Sequence, residues 1–358
     1  MITSHINLQR AALVLIVLLA SGYLLHIAAS FFIDLATSFL LALLLNPLVG
    51  WLQKKTRMPA MLAIFLALLL VGGILLSLLF VIALQLKDFS TNWQEVSARF
   101  TSWIAHLRDY IEARWGIGQA EQERYLQVLV NNPEKNLSIL NRLASSGGQF
   151  FGGLLASLSL IPIYTFFMLY YKERLRRFLF TVTAPAFRGN LKRILRKLQH
   201  VIFRYILGML LVFLVVTALD TGVLLVFSME NALLLGVLAG LLNFIPYIGT
   251  ALGGLIPMII ALITKDSLWY PLGIGLCFWG VQLLENNVIT PLVVGDQVSL
   301  NAFTIILVLV IGGMLWGAAG MVLAIPYAAI VKCILEEMPS GRPVALLIGD
   351  EPLSAFDK

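Results

Sequence analysis

The stretch NFIPYIG, residues 243–249, lies inside an apolar segment, 231–264, that is long enough to cross a bilayer. Pro246 lacks a backbone N–H and Gly249 tolerates irregular backbone, so we expect the helix to break at this point. The backbone groups that a break frees find no partner in hydrocarbon, so the break must lie within protein or line an aqueous cavity. The stretch therefore predicts a functional interruption in a membrane helix.

A second polar string follows the next apolar span and reads QLLENNVITPLVVG, residues 282–295. It places a carboxyl group beside amide side chains close to the membrane interior, where ionisable groups are costly and are functional candidates by default. We therefore expect a solute or ion pathway at these two strings. The candidate residues are Asn243, Pro246, Tyr247, Gly249, Gln282, Glu285, Asn286, Asn287 and Pro291.

Asp220 joins these candidates because it lies deep in an apolar span, between Thr217 and Thr221. Two interpretations stay open for each acid. Asp220 and Glu285 either couple transport to protons or cations, or make structural hydrogen bonds to neighbouring hydroxyl and amide groups.

Composition decides the class of protein. Of the 358 residues, 59% are hydrophobic and only 12% are charged, whereas soluble domains carry about 25% charged residues. Several apolar runs reach 18 residues, and the alternation of a β-barrel is absent from the sequence. We predict an all-α polytopic integral membrane protein with about eight transmembrane helices. Segment 231–264 either crosses once as a broken helix or dips in and returns, and we favour one crossing.

Two short basic stretches orient the chain. Residues 53–57 carry three positive charges, and residues 172–204 carry ten Lys or Arg against Glu173 alone. Such loops stay in the cytoplasm, so the net charge of +6 reflects topology and predicts no nucleic-acid partner. Within the second stretch an apolar edge lies opposite basic side chains and predicts binding to anionic inner-leaflet lipids. The edge consists of Leu191, Ile194, Leu195 and Leu198.

These patterns divide the chain into six parts. The segment after the third span balances seven basic and seven acidic residues and carries an amphipathic stripe, which predicts helices outside the cytoplasm. The parts are spans 1–3 (1–86), this extracytoplasmic segment (87–149), span 4 (150–171), a basic cytoplasmic linker helix (172–202), spans 5–8 (203–335) and a cytoplasmic tail (336–358).

The motifs of common enzyme classes are missing from the sequence. It contains no phosphate-binding GxxxxGK[ST] string, no GxSxG nucleophile turn and no HExxH pair. The four histidines are scattered, and Cys277 and Cys333 both lie in apolar spans. We therefore expect a protein that is not an enzyme and that needs neither ATP, a cofactor nor a metal.

Three strings together resemble the autoinducer-2 exporter family, also called PerM-type permeases. They are Asn46-Pro47 after the second span, NFIPYIG at 243–249, and the pattern Gln282-x-x-Glu285-Asn286 with Pro291 and Gly295. The resemblance implies a bacterial inner-membrane protein that forms an oligomer. It implies secondary transport: export of a small furanone signalling molecule, or sodium–proton exchange by an antiporter. The alternative is an oligomeric channel or membrane scaffold, in which Glu285 stabilises helix packing.

Overall fold

The computed structural model describes residues 8–91, 159–245, 248–265, 267–293 and 299–350, with five positions between 102 and 114. Nearly all of the predicted extracytoplasmic segment lies outside these residues, as do Pro246, Tyr247 and the end of the tail. Within the described ranges the regular elements are helices, and one isolated antiparallel bridge joins Leu300 to Gly349.

Twelve α-helices are present in the described ranges. In chain order they are α1 (Leu8–Ile27), α2 (Ala29–Thr56), α3 (Ala60–Thr91), α4 (Ser159–Tyr170), α5 (Lys172–Val182), α6 (Arg188–Val226), α7 (Ala232–Leu242), α8 (Ile248–Thr264), α9 (Trp269–Leu284), α10 (Thr290–Val293), α11 (Ala302–Glu337) and α12 (Arg342–Ile348). A short 3₁₀ turn, Pro185–Phe187, precedes α6, and a π-helical segment, Glu285–Ile289, joins α9 to α10.

The prediction of an all-α polytopic membrane protein is confirmed. Five helical stretches of the described residues are long and apolar enough to cross a membrane, and shorter apolar helices lie between them. The longest helix, α6, has 39 residues and measures about 58 Å, roughly twice the hydrocarbon thickness of a bilayer. Its first half is basic and its second half is apolar, so only the second half suits the hydrocarbon.

Helix α6 is central, and α2, α7, α9 and α11 pack against it. One core cluster joins its apolar end to α7, α8 and α9 through Leu224, Ala239, Ala261 and Phe278. A second cluster joins its basic half to α2 and α11 through Ile202, Leu40 and Ile330. A third joins α2, α3 and α4. The contacts of α6 therefore connect the two ends of the molecule.

Helices α7 and α8 form an antiparallel pair, which we call the first hairpin. A Cβ atom on Gly253 would lie 3.2 Å from the Cα atom of Ala239, although these residues would be about 21 Å apart in one straight helix. The expectation that 231–264 crosses once is therefore wrong. An apolar run of this length accommodates either one crossing or two half-length helices, so hydropathy did not separate the two.

Gly249 makes the reversal of the first hairpin possible. A Cβ atom at this position would lie 1.6 Å from the carbonyl oxygen of Leu242, so no other residue fits without displacing the backbone. The backbone N–H of Gly249 donates to the Ile245 carbonyl at 2.8 Å, and the N–H of Ile245 donates to Leu242 at 2.8 Å. These bonds satisfy backbone groups at the tip that hydrocarbon could not.

Helix α11 reverses too, although the sequence predicted a single last span. Trp316 and Gly317 leave helical geometry, and Gly317 has φ +60° and ψ −141°, a conformation that favours glycine. A Cβ atom on Gly312 would lie 2.5 Å from the Gly320 carbonyl oxygen. The two legs, 302–315 and 318–337, therefore run antiparallel, and we call them the second hairpin.

The two hairpins enter from opposite ends of α6. The base of the first lies at the apolar end, where Lys265 donates to the Ser228 carbonyl at 2.8 Å. The base of the second lies at the basic end, where Arg193 pairs with Glu337 at 2.8 Å and Lys197 pairs with Glu336.

This packing corrects the expectation for the apolar edge of α6. Leu198 is buried, and Ile194 packs with it against α11. The edge therefore faces protein and is not a lipid-binding surface.

Candidate functional site

The tip of the first hairpin meets a buried carboxyl group from the end of α9. Glu285 is 7% exposed, and its Oε1 accepts a hydrogen bond of 2.8 Å from Nδ2 of Asn243. Its Oε2 accepts a bond of 2.7 Å from Nε2 of Gln282. Because both oxygens act as acceptors, the arrangement suits an ionised carboxylate. Glu285 therefore connects the hairpin tip to α9 through two amide side chains.

Glu285 also begins the π-helical segment Glu285–Ile289, in which the Thr290 N–H donates to the Glu285 carbonyl. Pro291 follows at once and cannot donate a backbone hydrogen bond. The side-chain amide of Asn287 donates to the Leu283 carbonyl at 2.8 Å, which provides a partner where the helical pattern changes. Short π-helical segments are rare and are frequent at functional sites, so this one supports the same location.

A cavity of about 340 Å³ lies beside the tip, between α6, the first hairpin and α9. Its polar lining comes from Asp220, Asn243, Thr250 and Gln282, and none of the described lining residues is Lys, Arg or His. The apolar lining consists of Val216, Ala239, Ala251, Gly253, Gly254, Leu255, Met258, Gly275, Phe278, Trp279 and Val281. The cavity therefore suits a neutral or cationic solute better than an anion.

Asp220 is the acid that lines this cavity, and it is 3% exposed. Among the described residues, its Oδ1 has no hydrogen-bond partner, and the same holds for the hydroxyl oxygens of Thr217 and Thr221. The structural interpretation of Asp220 requires hydrogen bonds from these threonine hydroxyls to its carboxyl group. Such bonds are absent from the described residues. A buried acceptor without a partner is costly and is a candidate for binding a proton, a cation or a donor group of a solute.

The two threonines fix how closely α6 approaches the first hairpin. A Cβ atom on Gly236 would lie 2.1 Å from the Thr221 hydroxyl oxygen, and one on Gly240 would lie 2.1 Å from that of Thr217. Small residues at four-residue spacing let helix backbones come together in this way. Near the tip, the rings of Phe213 and Phe244 stack with centroids 5.6 Å apart. The position of Asn243 is therefore set by the close packing of α7 and the hairpin tip against α6.

The structure brings together half of the residues that the sequence proposed. Asp220, Asn243, Gln282, Glu285 and Gly249 lie at or beside the tip of the first hairpin. Asn286 is exposed and reaches the site only through a bond of 3.3 Å from Gln282. Asn287 and Pro291 are exposed and do not line the cavity, and Pro246 and Tyr247 lie outside the described residues.

Sequence reasoning missed several cavity residues. Gly275, Phe278 and Trp279 lie three, four or seven residues before the predicted Gln282 and therefore share its face of α9. That spacing was a usable signal. Thr250 gave no such signal, because only the reversal of the chain brings α8 beside Asp220.

In the described part of the chain no three His, Cys, Asp or Glu side chains gather into a metal-binding group. The groups that the described residues offer at the site are carboxyl, amide and hydroxyl side chains.

A sequence profile of the AI-2E family of transporters matches residues 13–340. YhhT of Escherichia coli K12, which is named as a transport protein, is 26% identical over 354 residues, covering 96% of this chain and 94% of that protein. YrrI of Bacillus subtilis strain 168, also named as a transport protein, is 26% identical over 307 residues, or 85% of each chain.

One relative carries the name of a solute. TqsA of Escherichia coli K12, an AI-2 transport protein, is 32% identical over 115 residues, which cover 32% of this chain and 33% of TqsA. The similarity to that protein is therefore limited to about a third of each sequence.

Proposed function

The chain belongs to the AI-2E family of transporters, and on that premise we propose that it is a secondary transporter. It carries a small polar solute or a cation past the tip of the first hairpin, without catalysing a reaction. The bacterial inner membrane is the proposed location, with the basic end of α6 in the cytoplasm because positive residues are retained there. Self-association into an oligomer stays a prediction.

One observation carries this proposal. The buried Oδ1 of Asp220 has no partner among the described residues, and Asp220 lines a cavity that contains no basic described side chain. A carboxyl group in that position gains a partner when a proton, a cation or a hydroxyl-bearing solute enters. The two candidate acids then have different tasks. Asp220 binds, whereas Glu285 positions the hairpin tip through Asn243.

The proposal includes a conformational step. Discontinuous membrane helices expose backbone and side-chain groups near the bilayer centre, and transport proteins use such breaks for binding. The bond between Asn243 and Glu285 closes the tip in the present structure. Movement of the tip away from α9 would break this bond and open the cavity. Alternation between the closed and open states would then give the two sides of the membrane access to the cavity in turn.

The choice of solute follows from the cavity. A volume of about 340 Å³ accepts a molecule of a few carbon atoms, and its lining favours hydrogen-bond donors or positive charge. Autoinducer-2 and sodium are the two solutes to test first, the former because TqsA is named as an AI-2 transport protein. Export is the proposed direction, with an imposed proton or sodium gradient as the driving force.

The test is a flux assay in proteoliposomes under an imposed pH or sodium gradient. We expect Asp220→Asn to lower gradient-driven flux at least about tenfold, since the amide keeps the shape but loses the charge. Glu230→Gln is the matched control, because Glu230 is an exposed carboxyl before the first hairpin and lies away from the cavity. Its flux should equal that of the wild type.

Two outcomes would contradict the proposal. Unchanged gradient-driven flux in folded Asp220→Asn protein would remove Asp220 from the pathway. A wild-type flux that ignores every imposed gradient would favour the channel, and no flux with any solute would favour the scaffold.

A further inference from the structure

Helix α5, which links α4 to α6, is a separate feature at the basic end of the molecule. None of its 11 residues is buried, and in the described part of the chain it makes no extensive contact with another helix. The 3₁₀ turn at Pro185–Phe187 separates it from α6. Lys172, its first residue, donates to Oδ1 of Asn46 in α2 at 2.8 Å. Beyond this contact little tertiary packing stabilises the helix, so its stability requires another surface.

One face of α5 is apolar and open. Leu175, Phe178 and Val182 recur at intervals of three and four residues, and they are 51%, 61% and 69% exposed. Phe187, in the turn that follows, is also exposed. Large apolar side chains in this arrangement are typical of helices that lie in the interface plane of a bilayer.

The charges of α5 flank this face. Lys172, Arg174, Arg176 and Arg177 stand against Glu173 alone, so the helix carries a net charge of +3. On a helical wheel of 100° per residue, Lys172 and Arg176 lie on one side of the apolar face and Arg174 on the other. The guanidinium of Arg174 lies 5.2 Å from the ring centre of Tyr171, at the end of apolar helix α4. The basic groups therefore surround the apolar face at the level where α4 leaves the membrane.

We propose that α5 docks on the bilayer surface at the basic end of the molecule and binds anionic phospholipid headgroups through its arginines. The apolar face enters the boundary between headgroups and acyl chains, and Arg174, Arg176 and Arg177 contact the phosphates. This moves the lipid-binding surface from the apolar edge of α6, which packs against α11, to the preceding helix. The site does not depend on Asp220 or on the solute.

Spin labels on the full-length protein test the proposal. In a background with Cys277→Ser and Cys333→Ala, one variant carries a nitroxide at Phe178→Cys and the other at Glu173→Cys, on the opposite side of α5. Each is reconstituted in vesicles of phosphatidylglycerol with phosphatidylcholine, and in phosphatidylcholine alone. Accessibility to oxygen and to a water-soluble nickel chelate reports the depth of each label.

In anionic vesicles we expect the label at position 178 to be shielded from nickel and open to oxygen, and the label at 173 to be open to nickel. The triple change Arg174→Gln, Arg176→Gln and Arg177→Gln removes three cations that attract anionic lipid. It should therefore lower the ratio of membrane-immersed to water-exposed label about 100-fold, given the usual contribution of each cation to membrane binding. The matched control removes three exposed charges from α6 by Arg188→Gln, Lys192→Gln and Arg196→Gln. This control should leave the depth unchanged.

Three results would overturn the proposal. The first is access of the nickel chelate to position 178 in anionic vesicles as readily as to position 173. The second is a label that is equally deep in pure phosphatidylcholine and insensitive to the triple change, which would exclude recognition of anionic lipid. Spin–spin broadening at position 178 that is independent of lipid would show that a second copy of the chain covers the face. Monodisperse elution of each variant in detergent confirms that it is folded.

Discussion

The two hairpins share a topology but differ at their tips. Each reverses the chain within apolar sequence, and they enter from opposite ends of α6. The tip of the first carries Asn243, which bonds to the buried carboxyl of Glu285 beside a cavity. The tip of the second carries Trp316, whose indole N–H donates to the Leu25 carbonyl at 2.9 Å.

The difference concerns what each tip exposes to its neighbours. The first tip meets amide and carboxyl side chains beside a cavity. The second tip meets α1 through the bond from Trp316 to the Leu25 carbonyl and through a 3.2 Å contact between the Leu315 carbonyl and the ring of His26. A reversal of the chain is therefore not by itself a functional feature, and the chemistry of the tip decides its role.

The bases of the hairpins differ as well. The second is joined by ion pairs to α6 and by hydrogen bonds to the end of α12, where the backbone N–H of Asn301 donates to the Ile348 carbonyl at 3.1 Å. Lys332, buried in the second leg, donates to the Ser299 carbonyl at 2.8 Å and pairs with Glu336. At the base of the first, Lys265 donates to the Ser228 carbonyl. The described contacts of the two bases therefore differ in kind, with ion pairs at the second and a bond to a backbone carbonyl at the first.

The largest expected effect comes from Gly249→Ala in the first hairpin. A Cβ atom 1.6 Å from the Leu242 carbonyl forces the two half-helices apart, and we expect a loss of about 3 kcal/mol or more in stability, with little folded protein. Gly280→Ala is the control, because its Cβ atom would meet nothing within 4 Å. Thermal unfolding followed by size-exclusion chromatography measures both. Equal stability of the two variants would mean that the chain does not reverse at Gly249.

Asn243→Ala tests the polar contact at the same tip. Removing the amide leaves Oε1 of buried Glu285 without this donor. We expect the free energy of unfolding to fall by about 2 kcal/mol and the flux per folded molecule to fall at least about tenfold. Asn190→Ala removes an amide bond of the same length, 2.8 Å, to the Glu337 carbonyl at the other end of α6. If Asn190→Ala lowered flux as much as Asn243→Ala, the tip would have no special role.

Trp316→Phe produces the smallest effect and probes the second tip. It removes the indole donor to Leu25 and keeps an aromatic ring, so we expect a loss of about 1 kcal/mol in stability. Flux per folded molecule should equal that of the wild type. A drop in flux comparable to that of Asn243→Ala, measured in the same proteoliposomes, would place the second hairpin on the pathway too.

The sequence predicted the membrane class, the location of the first tip and the two acids, because hydropathy and rare polar residues report these features directly. It did not predict either reversal. Gly249 is required because the Leu242 backbone lies against it, and Gly317 because its φ is positive. Both requirements arise only when the chain has folded, so the sequence does not report them.

The roles of the polar residues were predicted less well than their positions. The sequence left both a coupling and a structural role open for Glu285, and the structure satisfies both of its oxygens with amides. Hydrogen bonds to its neighbouring threonines were one of the two interpretations of Asp220, and those hydroxyl oxygens instead lie close to Gly236 and Gly240. Local sequence gives the available partners of a side chain, but tertiary packing decides which of them it meets.

Labelling of a cysteine in the cavity during turnover tests the central claim most directly. In the background with Cys277→Ser and Cys333→Ala, a charged, membrane-impermeant thiol reagent is applied to Thr250→Cys, which lines the cavity, and to Ala318→Cys, which is exposed beside the second tip. We predict that modification of Thr250→Cys stops flux and that modification of Ala318→Cys leaves flux unchanged. Unaltered flux in fully modified Thr250→Cys protein would contradict a pathway at the first hairpin.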